Sequence, residues 1–163
     1  MNCESLQTLI DTHGAAMQLV ARQYCNHPDD AVQEAFIALV SLPTLPRDRV
    51  AWLFTTVRRQ AMNMARSDAR RQKHHAAAGE MRPNWFVADP ITPNYWDDCQ
   101  AALEQITPAN REIVILRIWG EQSFEQIAQV VQLPLSTVHR RYHSTLVELE
   151  TLIEPARTIE KKS

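Results

Sequence analysis

Between Thr107 and Leu149 the chain reads TPANREIVILRIWGEQSFEQIAQVVQLPLSTVHRRYHSTLVEL, and no other stretch restricts the fold as much. Thr107 is suited to cap the free N–H groups of a helix, and Pro108 stands at the first helical position, where no N–H is missed. Gly120 ends that helix. The run Ile113 to Leu116 has the composition of a buried strand, but the Thr-Pro entry, the Gly exit and the length between them favour helix. A second helix opens at Ser123, with Gln126 three residues on, as a capping box. Phe124, Ile127, Ala128 and Val131 then make one apolar stripe, and Gln132-Leu133-Pro134 stops the helix and permits a sharp turn.

The helix after that turn buries Val138, Tyr142, Leu146 and Leu149. Ser136, Arg140 and Ser144 are left on one outward stripe, Thr137 and Arg141 on another, with His139 and His143 beside them. This arrangement suits a DNA-recognition helix. An arginine can fork onto guanine O6 and N7, short hydroxyls reach phosphates, and a good base contact is worth about 1–3 kcal/mol of discrimination. A surface helix with ordinary solvated charges is the alternative reading of the same residues. His139 and His143 have the spacing of a metal pair, but no Glu-x-x-His frame or nearby Cys completes a site, so no metal is expected.

With 163 residues the chain can form one ordinary domain or two small ones, and its organisation favours two. Glycine occurs only at positions 14, 79 and 120, so neither a phosphate-cradling loop nor a dinucleotide fingerprint can be written, and no cofactor is expected. Cys3, Cys25 and Cys99 are scattered, which argues against a disulfide framework or a zinc knuckle. No basic start precedes an apolar run, and nothing approaches a membrane span, so a soluble cytoplasmic protein is expected.

The net charge of −2 conceals a pattern. Residues 1–46 hold one basic and five acidic side chains, residues 47–82 nine and three, and residues 83–116 one and five. A basic block between two acidic ones predicts phosphate as one partner and a basic protein surface as another.

From Leu6 to Tyr24 apolar residues keep helical spacing, ended by Asn26-His27-Pro28. Asp29 and Asp30 then fall in the first turn of a second helix, where the dipole favours negative charge by about 0.3–1 kcal/mol. Val32, Ala35, Phe36, Leu39 and Val40 supply its buried face, leaving Asp30, Gln33 and Glu34 outward. The two-proline loop Ser41 to Pro46 leads to a long third helix, which Pro46 is placed to start. Its core stripe is Val50, Leu53, Phe54, Val57, Ala61, Met64 and Ala65. Arg59, Asn63, Arg66, Arg70 and Lys73 recur on another face with few acids among them, a pattern that favours phosphate over plain solvation. Residues 79–96 carry three prolines and four aromatics without period and read as a linker, packed onto the two domains or into a partner's groove.

These segments together resemble the extracytoplasmic-function sigma factors, short bacterial relatives of sigma-70 that keep only regions 2 and 4. Asp29 to Phe36, DDAVQEAF, is similar to the family's E/D-D-x-V-Q-E-x-F stretch. Trp52 to Arg58, WLFTTVR, is similar to its W-L-Y-T-I-A-R helix, with the Arg-rich tail Arg66 to Arg71 following. Leu103 to Leu149 resembles region 4, with Thr137 to His143, TVHRRYH, at the position of T-V-K-S-R-L-H. Arg59 stands where the family usually has Asn, Ala31 where it has a larger apolar residue, and His139 and Arg140 where it has Lys and Ser. These departures bear on promoter preference rather than on class.

The resemblance implies an all-α protein of two small domains: a region 2-like unit at 1–78, a linker at 79–96, a region 4-like helix-turn-helix unit at 97–154, and a tail at 155–163. It implies that Asp30, Gln33 and Glu34 face the clamp helices of core RNA polymerase. Loop 41–48 would hold a flipped base of the minus-10 element. Arg47, Arg58, Arg59, Asn63, Arg66 and Arg70 would follow the melting DNA. Ser136, Thr137, His139, Arg140, Arg141 and His143 would read the minus-35 element, with the polymerase flap region as a further contact and an anti-sigma protein as a candidate regulator. No catalytic residue is implied. Two rivals remain open: a helix-turn-helix regulator that works without polymerase, and a small helical hydrolase using His27, Asp29 and Asp30.

Overall fold

A computed structural model describes residues 3–74 and 93–160. Among them every regular element is a helix: α1 (Cys3–Arg22), α2 (Pro28–Val40), α3 (Arg49–His74), α4 (Pro93–Gln105), α5 (Pro108–Ile118), α6 (Phe124–Val131) and α7 (Leu135–Glu160). The all-α architecture expected from the sequence is therefore the one observed.

The first three helices pack on one another around Met17, Val20, Leu39, Leu53 and Val57, all fully buried. α2 begins with Pro28 at its first position and carries Asp29 and Asp30 in its first turn. At its end the Ser41 hydroxyl donates to the Ile37 carbonyl at 2.8 Å, covering one of the carbonyls a helix end leaves open. α3 starts at Arg49 rather than at Pro46. The reason is Asp48, whose Oδ1 accepts from the Ala51 N–H at 2.9 Å and so caps the helix.

The C-terminal helices form a second layer, with α7 lying against α4, α5 and α6. α4 begins within the segment expected to be linker. Residues 75–92, which hold most of that segment with Trp85 and Phe86, lie outside the described residues. The guanidinium of Arg111 donates to the carbonyls of Leu103, Glu104 and Ile106 at 2.8–3.1 Å, so a cation from α5 closes the end of α4. α7 runs on to Glu160, past the boundary expected at 154.

Thr107 does occupy the N-cap of α5, but its side chain makes no capping hydrogen bond. It is exposed, and water can serve the same N–H groups. Gly120 follows the end of that helix, yet the left-handed residue of the turn is Glu121, at φ 52°. Gly120 is required for space instead: a Cβ there would sit 2.7 Å from the Leu116 carbonyl oxygen and 3.1 Å from Cζ of Phe54. The Ser123/Gln126 capping box is present as expected. The Ser123 N–H donates to Gln126 Oε1 at 2.8 Å, and the Gln126 N–H to Ser123 Oγ at 3.2 Å. Gln132, left-handed at φ 57°, ends α6 and turns the chain into α7.

The two sets of helices do not stand apart. α6 packs on α3 and α5 on α1, and one contiguous core runs from Met17 and Phe54 through Ile113, Leu116 and Ile127 to Val138.

Candidate nucleic-acid interface

Three surfaces and one buried junction carry the candidate functional residues. On α2, Asp30, Gln33 and Glu34 are all exposed, as the helical spacing predicts. Beside them an open groove of about 360 Å³ runs between α1 and α2, lined by Leu6, Ile10, Val32, Phe36, Ile37 and Val40, with Asp29 and Gln33 contributing polar atoms. Ile37 and Val40 keep about half their surface in water. An acidic helix with an apolar groove beside it has the chemistry to accept a basic helix with apolar anchors.

The second surface is the outer face of α3. Arg59, Asn63, Arg66 and Arg70 are exposed in a row, and Arg47 is exposed just before the helix. Among the described residues none of Arg59, Arg66 and Arg70 has an ion-pair partner, whereas Arg71 is bound to Asp68 at 3.3 Å. Arginines held on a rigid helix without competing carboxylates are arranged to meet successive phosphates.

The third surface is the first half of α7. Ser136, Arg140 and His143 are exposed, and Thr137, His139 and Arg141 are half-buried. Val138 is fully buried, and Leu149 nearly so, which fixes the rotation of the helix. A feature the sequence reading missed sits beneath this surface. The Phe124 ring, expected only as core, lies 4.0 Å from the His139 ring and 6.3 Å from that of His143, and the two imidazoles stack at 6.2 Å. Tyr142 meets the same phenyl ring edge-on at 5.2 Å, and the Arg117 guanidinium lies 4.7 Å from its centre. One aromatic of α6 thus orients the two histidines of α7.

Arg58 is placed differently from its neighbours. Its Nε donates to Glu112 Oε1 at 2.8 Å, and its guanidinium lies 5.6 Å from the centre of the Tyr24 ring. The Tyr24 hydroxyl donates to the other oxygen of the same carboxylate at 2.6 Å. Glu112 is only 2% exposed. Burial pushes its carboxyl above the usual range, and the bonds from Tyr24 and Arg58 reverse this only in part. Burial also raises the Tyr24 phenol, and the Glu112 charge adds to that shift. At Arg58 burial works against the cation, but Glu112 and Tyr24 together outweigh it, and the guanidinium is held charged more firmly than in water.

Around this cluster Gln126 donates to Asp48 at 2.5 Å and Arg111 to Gln23 at 3.2 Å, both across the same junction. Tyr24 and Glu112 had no place among the predicted site residues. The one signal for Glu112 was a carboxylate interrupting the apolar face of α5.

No group of His, Cys, Asp and Glu suited to a metal occurs among the described residues, and no described helix is long and apolar enough to cross a membrane. His27 and Asp30 do line a shared depression with Asn63, Ser67, Asp68 and Arg71.

An all-helical chain with one helix-turn-helix surface, one arginine row and one acidic helix defines a class: a DNA-directed protein that also binds a protein partner. Comparison with known families makes it specific. The sigma-70 region 2 family model matches residues 9–71, and the sigma-70 region 4 model matches residues 97–149. The fold is also that of a solved sigma factor, RpoE of Bartonella quintana, crystallised with the anti-sigma factor NepR. The TM-score is 0.67 at 19% identity, covering 91% of this chain and 95% of that one. A comparison with curated proteins found no match.

The chain belongs to the sigma-70 family, in its extracytoplasmic-function type, which keeps regions 2 and 4 alone. It is a sigma factor for transcription initiation, a protein that joins core RNA polymerase and promoter DNA.

Proposed function

We propose that the three exposed surfaces divide the work of initiation. Asp30, Gln33 and Glu34 meet the clamp helices of core polymerase, and the apolar groove beside them receives that partner's side chains. Arg47, Arg59, Asn63, Arg66 and Arg70 follow the minus-10 strand as it separates, joined by Arg58 once its guanidinium is released from Glu112. Loop 41–48 captures an unstacked base, and base capture offsets an opening cost of a few kcal/mol per base. Ser136, Thr137, His139, Arg140, Arg141 and His143 read the minus-35 duplex, while the region 4 unit meets the flap.

The observation that carries this reading is the unpaired arginine row on α3 together with a capped helix-turn-helix on the same chain. Either surface alone describes many DNA-binding proteins; both on a chain matched by region 2 and region 4 describe a promoter reader with two contact points. In this organisation residues 1–78 and 97–154 act as two units joined through 79–96, with 155–163 as a tail. The factor performs no catalysis itself, and it acts in the bacterial cytoplasm, where the polymerase is. The solved relative is bound by an anti-sigma factor, and a regulator of that kind is a natural partner here as well.

Run-off transcription with purified core polymerase on a library of promoter fragments tests the reading. Discrete transcripts that require this chain are expected. Binding to DNA with no transcript, and no retention on core polymerase, would instead support the polymerase-independent regulator.

A further inference from the structure

His139 stands where related sigma factors carry lysine, and it brings a flat ring to a position otherwise held by a flexible chain. Its ring lies 4.0 Å from that of Phe124, tilted by 38°, and 6.2 Å from that of His143, tilted by only 20°. Phe124 is the first residue of α6, directly after the Ser123 cap, so the capping box fixes where its side chain leaves the backbone. Arg117 steadies the ring from α5. Its Nη1 donates to the Gln122 carbonyl at 2.9 Å, and its guanidinium carbon lies 4.7 Å from the centre of the Phe124 ring.

Stacking engages the faces of an imidazole and leaves its nitrogens, which lie in the ring plane, free to bond edge-on. Among the described residues no protein group hydrogen-bonds to either imidazole. The acceptors that the major groove offers to such an N–H are purine N7, guanine O6 and thymine O4. Two near-parallel rings 6.2 Å apart span close to two steps of a strand whose units follow one another by roughly 3.4 Å. A lone histidine on an exposed helix loses rotamer freedom when it binds, whereas one already seated on Phe124 has little left to lose.

We propose that Phe124 is a positioning residue for minus-35 recognition: it holds His139 and His143 as one reading element that donates to the N7 atoms of two purines, two steps apart on one strand. The proposal rests on reading the first half of α7 as the minus-35 surface. Phe124 acts through the histidines. Preference at the two positions therefore depends on a ring of α6, and it falls at both together when the stack is broken.

Holoenzyme assembled from the full chain and core polymerase is the material for the test. Selection from promoter duplexes randomised over the minus-35 region gives the preferred site. Competition binding then compares that site with duplexes carrying a 7-deazapurine, in which N7 is replaced by C–H, at one position at a time. Wild type is expected to lose about three- to ten-fold in affinity at each of two positions two steps apart, the range of a single hydrogen bond. Phe124→Leu should bring both ratios toward one, and Phe124→Tyr, which keeps the ring, should restore them. His139→Ala should abolish the penalty at its own position and reduce it at that of His143. A ratio of affinities does not depend on the fraction of protein that is folded, so loss of packing alone leaves it unmoved. If Phe124→Leu fails to fold, His139→Ala, which removes no core residue, carries the test.

An unchanged ratio in Phe124→Leu, or an equal loss on every duplex, would overturn the role of Phe124. So would the absence of any 7-deazapurine penalty in wild type, or a His139→Ala variant that leaves the His143 position untouched. If wild-type holoenzyme selects no site at all, the initiation reading fails and this inference with it. A selected site whose ratios ignore Phe124 sinks the inference alone.

Discussion

At the scale of single residues, the decisive positions are those where a local pattern serves a distant partner. Glu112 has the clearest chemical consequence. Burial raises its carboxyl above the ordinary range, and the groups facing it are the Arg58 cation and the Tyr24 phenol. A raised carboxyl binds its proton more tightly in the folded chain than in the unfolded one. The stability this contributes is present in full below the ordinary glutamate value, about 4.3, and is lost as pH rises through the raised value. Urea denaturation across a pH series should therefore show wild type losing stability relative to Glu112→Gln as pH rises from about 4.3 toward neutrality. A difference that stays flat, or that changes in the opposite direction, would contradict the placement of Glu112. Gly120 offers a steric test. A methyl group there meets the Leu116 carbonyl and the Phe54 ring, and neither moves without disturbing a helix or the core. Gly120→Ala should cost about 1–3 kcal/mol, as overpacking does, read as a lowered thermal midpoint. The sequence marked Gly120 as a helix stop. That it is needed for space against Phe54, 66 positions earlier in the chain, was not visible there.

At the scale of elements, legibility followed the strength of the local chemical signal. The α6 capping box was written in Ser123 and Gln126 and appears in both of its hydrogen bonds. The stripes on α2 and α3 placed Asp30, Gln33, Glu34, Arg59, Asn63, Arg66 and Arg70 on the surface because 3.6-residue periodicity needs only neighbours on the same helix. α4 was not legible, since its proline start and two aromatics read as linker, and much of what holds its end is Arg111 from α5. Asp48 counted in the sequence only as one of the few acids in a basic block, and the structure places it as the cap of α3. Ser123→Ala should lower stability by about 0.5–2 kcal/mol in chemical denaturation, the usual cost of a lost cap. On α3, Arg66→Ala and Arg70→Ala should each weaken binding to single-stranded DNA regardless of sequence. Each should also reduce the slope of log affinity against log salt by about one. On α7, Arg140→Ala should instead relax preference at one duplex position, costing about 1–3 kcal/mol there in competition binding. If Arg140→Ala weakened all duplexes equally, α7 would be holding backbone rather than reading bases.

At the scale of the whole molecule, the sequence announced two units and a link between them but not how they sit together. The contacts that join them, Tyr24 and Arg58 to Glu112, Asp48 to Gln126, and Gln23 to Arg111, span 54 to 88 residues, and no local period encodes such pairs. Two readers on one chain bind together only when their targets are correctly spaced, because the second contact gains from the first through effective concentration. The most direct measurement is run-off transcription with core polymerase on a promoter that this chain recognises, with base pairs inserted or removed between the minus-10 and minus-35 elements. Transcription that depends on the chain, and falls steeply when the spacing changes while both elements stay intact, is the predicted result. Transcription indifferent to that spacing, or absent with every fragment, would contradict the account.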